Sequence, residues 1–131
     1  MQISSNGCPF CDLPAERILE AGELSIAFKD LYPVTDLHTL VIPRRHVRTF
    51  FDLSAEEAEA VRLLLYSQRE AIQKEDSSVE GFNVGINCEQ VAGQTVFHCH
   101  VHLIPRRAGD VAEPIGGIRN IFPGKGNYSL A

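Results

Sequence analysis

Three histidines at alternate positions are the residues of this sequence best suited to chemistry. His98, His100 and His102 lie in the apolar run 95–105 and alternate with large apolar residues and a cysteine. In an extended strand, successive side chains point to opposite faces, so the spacing predicts three imidazoles on one face, about 7 Å apart. Imidazole, with an ordinary pKa of about 6.5, can act near neutral pH as nucleophile, acid, base or metal ligand. We therefore treat this segment as a candidate active site.

Two cysteines near the start of the chain form a second candidate group. Cys8 and Cys11 have the two-residue spacing that lets two thiolates bind one tetrahedral zinc ion. Redox dithiols share that spacing, but their motif follows a buried strand, and residues 1–7 are too short and polar to form one. The spacing favours half of a metal site, with free thiols as the alternative. The chain offers four residues as further ligands: His46, His98, Cys88 and Cys99.

Hydrophobic patterning predicts the strands that must position these side chains. Residues 24–28 and 38–42 are short, mostly apolar runs typical of strands. Residues 82–88 indicate another strand, and a turn at 89–93 then returns the chain as the histidine strand. This pattern predicts that the last two strands pair as a hairpin.

One long helix is predicted between the two pairs of strands. Ser54 and Glu57 have the spacing of a capping box, and apolar residues recur at helical intervals after them. The pattern ends between residues 74 and 78. We interpret the apolar stripe of this helix as core.

Length and charge limit the function classes. A chain of 131 residues with a net charge of −5 predicts one domain over residues 1–131 and argues against a general nucleic-acid binder. Neither a long apolar stretch nor a hydrophobic leader is visible, so we expect no membrane insertion and a cytoplasmic location. Two arginine clusters, at 44–48 and 106–107, have a solvated surface as the alternative to a binding role.

The histidine segment resembles a known family. Residues 98–104 fit the alternating signature of the histidine triad nucleotide hydrolases and transferases, and residues 92–96 match the usual approach to it. The resemblance covers residues 8–110. The other matching blocks occur in the same order as in the family: residues 27–30, Pro33, residues 38–43, His46 and residues 81–87.

The resemblance implies a fold and an assembly. The expected fold is α+β and histidine-triad-like, with an antiparallel sheet on which a long α-helix and a shorter helix pack. The expected assembly is a homodimer.

It also implies a reaction at the α-phosphate of a purine nucleotide. His100 would attack the phosphorus and form a nucleotidyl-histidine that water cleaves. His102, Gln94 and Thr95 would hydrogen-bond phosphate oxygens as charge develops, and His38 would support the triad from the adjacent strand.

Nucleotide contacts and a metal site follow from the same resemblance. Asp30 would accept the ribose hydroxyls, Phe28 and Leu31 would form an apolar wall for the base, and Asn87 would contact phosphate or sugar. The metal would be a structural zinc, because four protein ligands leave no position for substrate water. Its implied ligands are Cys8, Cys11, His46 and His98.

Two branches of the family match different parts of the chain. Residues 92–96 and 105–110 resemble the fragile histidine triad branch, which hydrolyses dinucleoside polyphosphates, and this substrate class is the prediction. The N-terminal knuckle, residues 6–12, instead resembles bacterial members and the nucleoside phosphoramidase branch, which is the alternative. Two further hypotheses are a nucleotide sensor with little turnover and a zinc-dependent interaction protein.

Three features depart from the family pattern. Leu37 stands where a glycine commonly precedes the supporting histidine, which predicts a small shift of His38, and Cys99 replaces a larger apolar residue. The tail, residues 109–131, is rich in glycine and proline and matches no family block. Its Gly116, Gly117 and Arg119 are either phosphate contacts or part of a surface-wrapping tail.

Overall fold

The structure is a computed structural model that describes residues 7–127. Residues 1–6, with the start of the predicted knuckle, and residues 128–131, with the end of the predicted tail, lie outside the described residues. The described elements are strands β1 (Ile18–Ala21), β2 (Ser25–Lys29), β3 (Thr39–Pro43), β4 (Val79–Gly85) and β5 (Val101–Arg107), and helix α1 (Ala55–Glu75).

The five strands form one antiparallel sheet in the order β1-β2-β3-β5-β4. Strand β5, which follows the first two triad histidines, lies between β3 and β4. Its register places His102 opposite Leu40 on one side and Gly85 on the other. The third histidine of the triad is therefore held inside the sheet, away from its edges.

Helix α1 covers one face of the sheet. Its capping box is present, since Ser54 accepts from the backbone N–H of Glu57 and the Glu57 carboxylate accepts from the N–H of Ser54. Val61 and Leu64 on the helix pack against Ala27, Val41 and Val101 on the strands. Since side chains alternate along β5, Val101 and Leu103 face this core, and His102 faces the other side.

The predicted α+β class and antiparallel sheet are confirmed, and β2, β3 and α1 lie within about one residue of their predicted positions. Strand β4 starts three residues before its predicted start at 82, because Val79 already pairs with Arg107. The shorter helix is found within residues 7–127 only as 3-10 turns, at Ala15–Arg17, Phe50–Asp52, Gln90–Ala92 and Gly117–Ile121. In the part of the chain that the structure describes, no helix is long and apolar enough to cross a membrane.

The prediction that all three histidines share one strand is wrong for two of them. His98 and His100 precede β5, which begins at Val101. The reason is a competing backbone partner: the N–H of Cys99 donates to the carbonyl of Val47 at 2.7 Å, outside the ladder of the sheet. The segment is thereby held against the loop that carries His46.

Candidate active site and metal centre

Cys8, Cys11, His46 and His98 converge on one point. Their ligand atoms all lie within 4.8 Å of one another. Nδ1 of His98 is 3.6 Å from Sγ of both cysteines, and Nδ1 of His46 is 3.1 Å from Sγ of Cys11. The structure thus brings together the four residues of the predicted metal set, and this cluster can hold a metal ion.

The donor set fits a tetrahedral ion. Sulfur and nitrogen ligands bound to zinc at tetrahedral angles lie about 3.6 Å apart, close to the separations between these atoms. Nε2 of His98 is 2.8 Å from the carbonyl oxygen of Pro43. A carbonyl only accepts, so Nε2 carries the hydrogen and the lone pair of Nδ1 points at the thiols.

The other two cysteines are not part of this cluster. Cys99 is buried, and burial raises the pKa of its thiol to about 12. Cys88 is a free, partly exposed cysteine. The choice among the four candidate ligands is therefore resolved in favour of the two histidines.

His100 is oriented by the backbone of its own segment. Its Nδ1 lies 2.8 Å from the carbonyl oxygen of His98, so Nδ1 carries the hydrogen and Nε2 carries the lone pair. The ring of Phe10 packs edge-on against the ring of His100, with 5.1 Å between the ring centres. Only 8% of the surface of His100 is exposed. The site therefore presents an imidazole of fixed orientation whose lone pair is on Nε2.

His38, the residue before β3, and His102 of β5 form a hydrogen-bonded pair. The backbone N–H of Val34 donates to Nδ1 of His38 at 3.1 Å, so Nε2 of His38 carries the hydrogen. Nε2 lies 2.9 Å from Nδ1 of His102 and donates to it. The hydrogen of His102 is then on Nε2, where it can be donated to a ligand.

Burial keeps this pair neutral. Desolvation lowers the pKa of His102 to about 4, and repulsion by His100 and His38 acts in the same direction. Burial also lowers the pKa of His38. The carboxylate of Asp30, 3.5 Å from Nε2 of His38, opposes both shifts. At neutral pH both rings are hydrogen-bond donors without charge.

Asp30 is placed by a turn as well as by the histidines. Its Oδ1 accepts from the backbone N–H of Tyr32 at 2.8 Å, and its Oδ2 faces the two rings. Its predicted contact with ribose stays a prediction.

Gln94 is held by contacts within the protein. Its side chain is buried, and its Oε1 accepts from the N–H of Glu89 at 2.7 Å. Its Nε2 donates to the carbonyls of Arg48, at 2.6 Å, and Val96. Both N–H groups of the Gln94 amide thus have acceptors within the protein, and its predicted contact with phosphate stays a prediction. Gln94 fastens the loop before the triad to the loop that carries His46.

Phe28 is buried on the face of the sheet that carries His102, since Leu40 pairs with both residues, and its predicted contact with a base stays a prediction. Its side chain has no exposed surface, and it packs against Ile26 and Leu40 and against the ring of Phe10. Three further residues are exposed, and their nucleotide contacts stay predictions: Leu31, Asn87 and Thr95.

The arginines of the two clusters are engaged within the protein. Arg45 pairs with Glu57, and Arg48 pairs with Glu89. Arg106 binds both oxygens of Asp110, and Arg107 pairs with Asp76. Arg44 donates to the carbonyl of Gly22. These contacts fix loops, and they favour the surface interpretation of both clusters.

Leu37 shows why a glycine commonly occupies its position. Its φ is +71°, in the left-handed region that disfavours a side chain. The strain is offset by burial, since Leu37 packs with Ile72, Val79 and Leu103. Nε2 of His38 lies 2.9 Å from Nδ1 of His102, and the predicted small shift of His38 stays a prediction.

Sequence reasoning missed three contributions to the site. Phe10 packs against His100, the N–H of Val34 orients His38, and the carbonyl of Pro43 orients His98. An aromatic residue between the two cysteines of the candidate metal cluster is the one signal that the sequence offers for these contacts. The other two contacts are made by backbone groups, which occur at nearly every residue and therefore cannot be predicted from residue types.

Comparison with known proteins identifies the family. A model of the HIT domain matches residues 13–109. The nitrilase and fragile histidine triad fusion protein NitFhit of Caenorhabditis elegans is 36% identical over 103 residues, which cover 78% of this chain and 23% of that protein. This chain therefore matches only a minor part of that longer relative.

Two solved structures share the fold. A zinc-bound histidine triad family protein from Mycobacterium smegmatis is 34% identical with a TM-score of 0.71, covering 79% of this chain and 78% of that chain. Plasmodium falciparum diadenosine triphosphate hydrolase is 26% identical with a TM-score of 0.68, covering 76% and 67%. Together with the match over residues 13–109, these similarities show that the chain belongs to the HIT, or histidine triad, family.

Proposed function

We propose that this protein is a nucleotide hydrolase that acts at the α-phosphate of dinucleoside polyphosphates through His100. The observation that carries the proposal is the fixed tautomer of His100. Because its Nδ1–H is held by the carbonyl of His98, the lone pair needed for attack is on Nε2. The neighbouring His102 offers a neutral Nε2–H donor on the same side.

The reaction has two steps. Nε2 of His100 bonds to the α-phosphorus while the bond from that phosphorus to the bridging oxygen breaks. The leaving nucleotide departs with the electron pair and takes a proton from solvent. Water then attacks the same phosphorus, the N–P bond breaks, and a nucleoside monophosphate and a proton are released.

The chain's own groups stabilise both steps. The Nδ1–H of His100 becomes more acidic in the intermediate, and the carbonyl of His98 accepts from it at 2.8 Å. The Nε2–H of His102 donates to a phosphoryl oxygen as negative charge develops there. Since desolvation lowers the pKa of His102 to about 4, this donor keeps its form across the neutral range.

The metal in this proposal is a structural zinc ion. Cys8, Cys11, His46 and His98 would hold it with four ligands, and its contribution is to folding. It would tie the N-terminal knuckle, with Phe10, to the segment that carries the triad. A purine base in the substrate and a homodimeric assembly belong to the same proposal.

Similarity to the diadenosine triphosphate hydrolase of Plasmodium falciparum and to NitFhit supports polyphosphates as the substrate class. The nucleoside phosphoramidase activity is the second candidate, favoured by the Cys8 and Cys11 knuckle. Both reactions use the same nucleophile and release a nucleoside monophosphate.

A comparison of kcat/KM for diadenosine polyphosphates and for adenosine phosphoramidate, on one preparation, tests the proposal. We expect the polyphosphate to be the better substrate, and His100→Ala to lose at least about 10³-fold in kcat on both. Binding of adenosine monophosphate by the variant should persist. Activity retained by His100→Ala would contradict the mechanism, and a preference for the phosphoramidate would select the second candidate.

A further inference from the structure

A groove of about 490 Å³ separates the tail from the sheet. Its wall on the sheet side includes Ile104 of β5 and Asn83 of β4. Its wall on the tail side includes Ile118, Asn120 and Ile121. This volume lies within the range of small-molecule sites, about 300–1,000 Å³.

Contacts between residues of the tail shape the tail side of the groove. Gly116 has a φ of +68°, and a side chain at this position would collide with the backbone of Gly126. The N–H of Gly126 donates to Oδ1 of Asn120 at 2.9 Å, and Nε of Arg119 donates to the carbonyl of Lys125 at 3.0 Å. The tail thus closes on itself as a folded loop beside the sheet.

The groove lies on the same face of the sheet as His102. Ile104 follows His102 by two residues on β5, which places their side chains on one face about 7 Å apart. Val34 and Thr35 also line the groove. Both contact His38: Val34 N–H donates to its ring, and the carbonyl of Thr35 accepts from its backbone N–H at 3.2 Å. The groove therefore begins at the residues that hold the histidine pair.

Strand β4 leaves the path between His102 and the groove open. Gly85 lies opposite His102, and Asn83 lies opposite Ile104. A Cβ added to Gly81 or to Gly85 would meet no atom within 4 Å. An extended molecule attacked at His100 can thus run along this face from the triad to the tail.

The chemistry of the groove suits a nucleobase. Apolar side chains supply most of the lining, with the amides of Asn83 and Asn120 among them. The lining cation Arg106 is bound to both oxygens of Asp110, at 2.8 and 2.9 Å, so it is neutralised. The amide oxygens of Asn83 and Asn120 already accept from Arg106 and Gly126, so these amides offer N–H donors to a ligand. Apolar walls with amide donors match a flat heterocycle, and the carboxylate of Glu113, which also lines the groove, disfavours a phosphate.

We propose that this groove binds the nucleoside of the leaving group, the half of a dinucleoside polyphosphate that departs when His100 attacks. The tail is then a specificity element of the enzyme. This inference rests on the proposed function, since it concerns the second half of the same substrate.

The double variant Ile118→Ser and Ile121→Ser tests the inference, because it removes apolar lining without adding charge. Ile115→Ser with Phe122→Ser is the matched control, since these two exposed residues of the same tail do not line the groove. The readout is the ratio of kcat/KM for diadenosine tetraphosphate to that for adenosine phosphoramidate, whose leaving group carries no nucleoside.

We expect the groove variant to lower this ratio about tenfold, and the control to leave it unchanged. An unchanged ratio in the groove variant, or an equal fall in both variants, would overturn the inference. A binding measurement separates this outcome from failure of the proposed function, because it needs no turnover. On a His100→Ala background, diadenosine tetraphosphate should bind more tightly than adenosine monophosphate, and the groove variant should remove that difference. Equal affinities before the groove is changed would also overturn the inference.

Discussion

Nε2 of His38 lies 2.9 Å from Nδ1 of His102, and the N–H of Val34 lies 3.1 Å from the other nitrogen of His38. One backbone hydrogen thus sets the tautomers of two rings in sequence. The last hydrogen of the series, on Nε2 of His102, is the one available to a phosphate. The orientation of this donor therefore depends on the loop between β2 and β3.

The neutral His102 makes stability depend on pH. Since its pKa is about 4 in the folded protein and about 6.5 in an unfolded chain, the unfolded state binds more protons between these values. Stability should therefore fall as pH falls from about 6.5 to about 4, by at most about 3 kcal/mol for this residue. Urea unfolding of the wild type and of His102→Gln at several pH values measures it. If the free energy of unfolding fell equally with pH in the wild type and in His102→Gln, the low pKa of His102 would not be the cause.

The positive φ of Leu37 predicts that substitution by glycine destabilises the protein less than substitution by alanine. Leu37→Ala and Leu37→Gly both lose a buried side chain, but only glycine adopts a φ of +71° without strain. The glycine variant should therefore be more stable than the alanine variant by about 1 kcal/mol, the reverse of the order inside a regular element. Denaturant unfolding of both variants gives the difference. An alanine variant of equal or greater stability would show that the backbone is unstrained there.

Glu89 carries a second strained backbone, with φ +80° and ψ 161°, a region used almost only by glycine. Its ion pair with Arg48 is half-exposed on both sides and stabilises little. Glu89→Gly should raise the free energy of unfolding by about 1 kcal/mol, because it relieves strain and keeps the N–H that binds Gln94. Glu89→Ala keeps the strain and should lower stability. Thermal unfolding of the pair distinguishes these outcomes.

The Cys and His cluster predicts one zinc ion per chain. Cys11→Ser should lose the metal and unfold at a lower temperature, while Cys88→Ser, which alters a cysteine outside the cluster, should keep it. Metal analysis of the purified proteins and thermal unfolding with and without chelator provide the measurement. Equal zinc content in the two variants would place the ion elsewhere.

The sequence was sufficient for the elements whose patterning is local. Strands β2 and β3 and helix α1 are confirmed because apolar spacing and the box of Ser54 and Glu57 depend on near neighbours. The structure also brings together the four residues that the resemblance to the family predicts as a metal site.

Contacts between residues distant in sequence lie outside what the sequence predicts. The place of Gln94 before the triad predicts a contact with phosphate, but its side-chain N–H donates to the carbonyl of Arg48, 46 residues away. His98 and His100 leave the strand because Val47 supplies a backbone acceptor for Cys99. No local pattern reports such a partner.

The central claim, that His100 carries the nucleotide between two steps, can be tested by trapping the intermediate. The wild type would be mixed with diadenosine polyphosphate, quenched in base within the first turnover and analysed by mass spectrometry. We predict a mass increase of one adenylyl group, located on the peptide that contains His100, and none in His100→Ala. Turnover by the wild type without any adenylated histidine, or adenylation at another residue, would contradict the account.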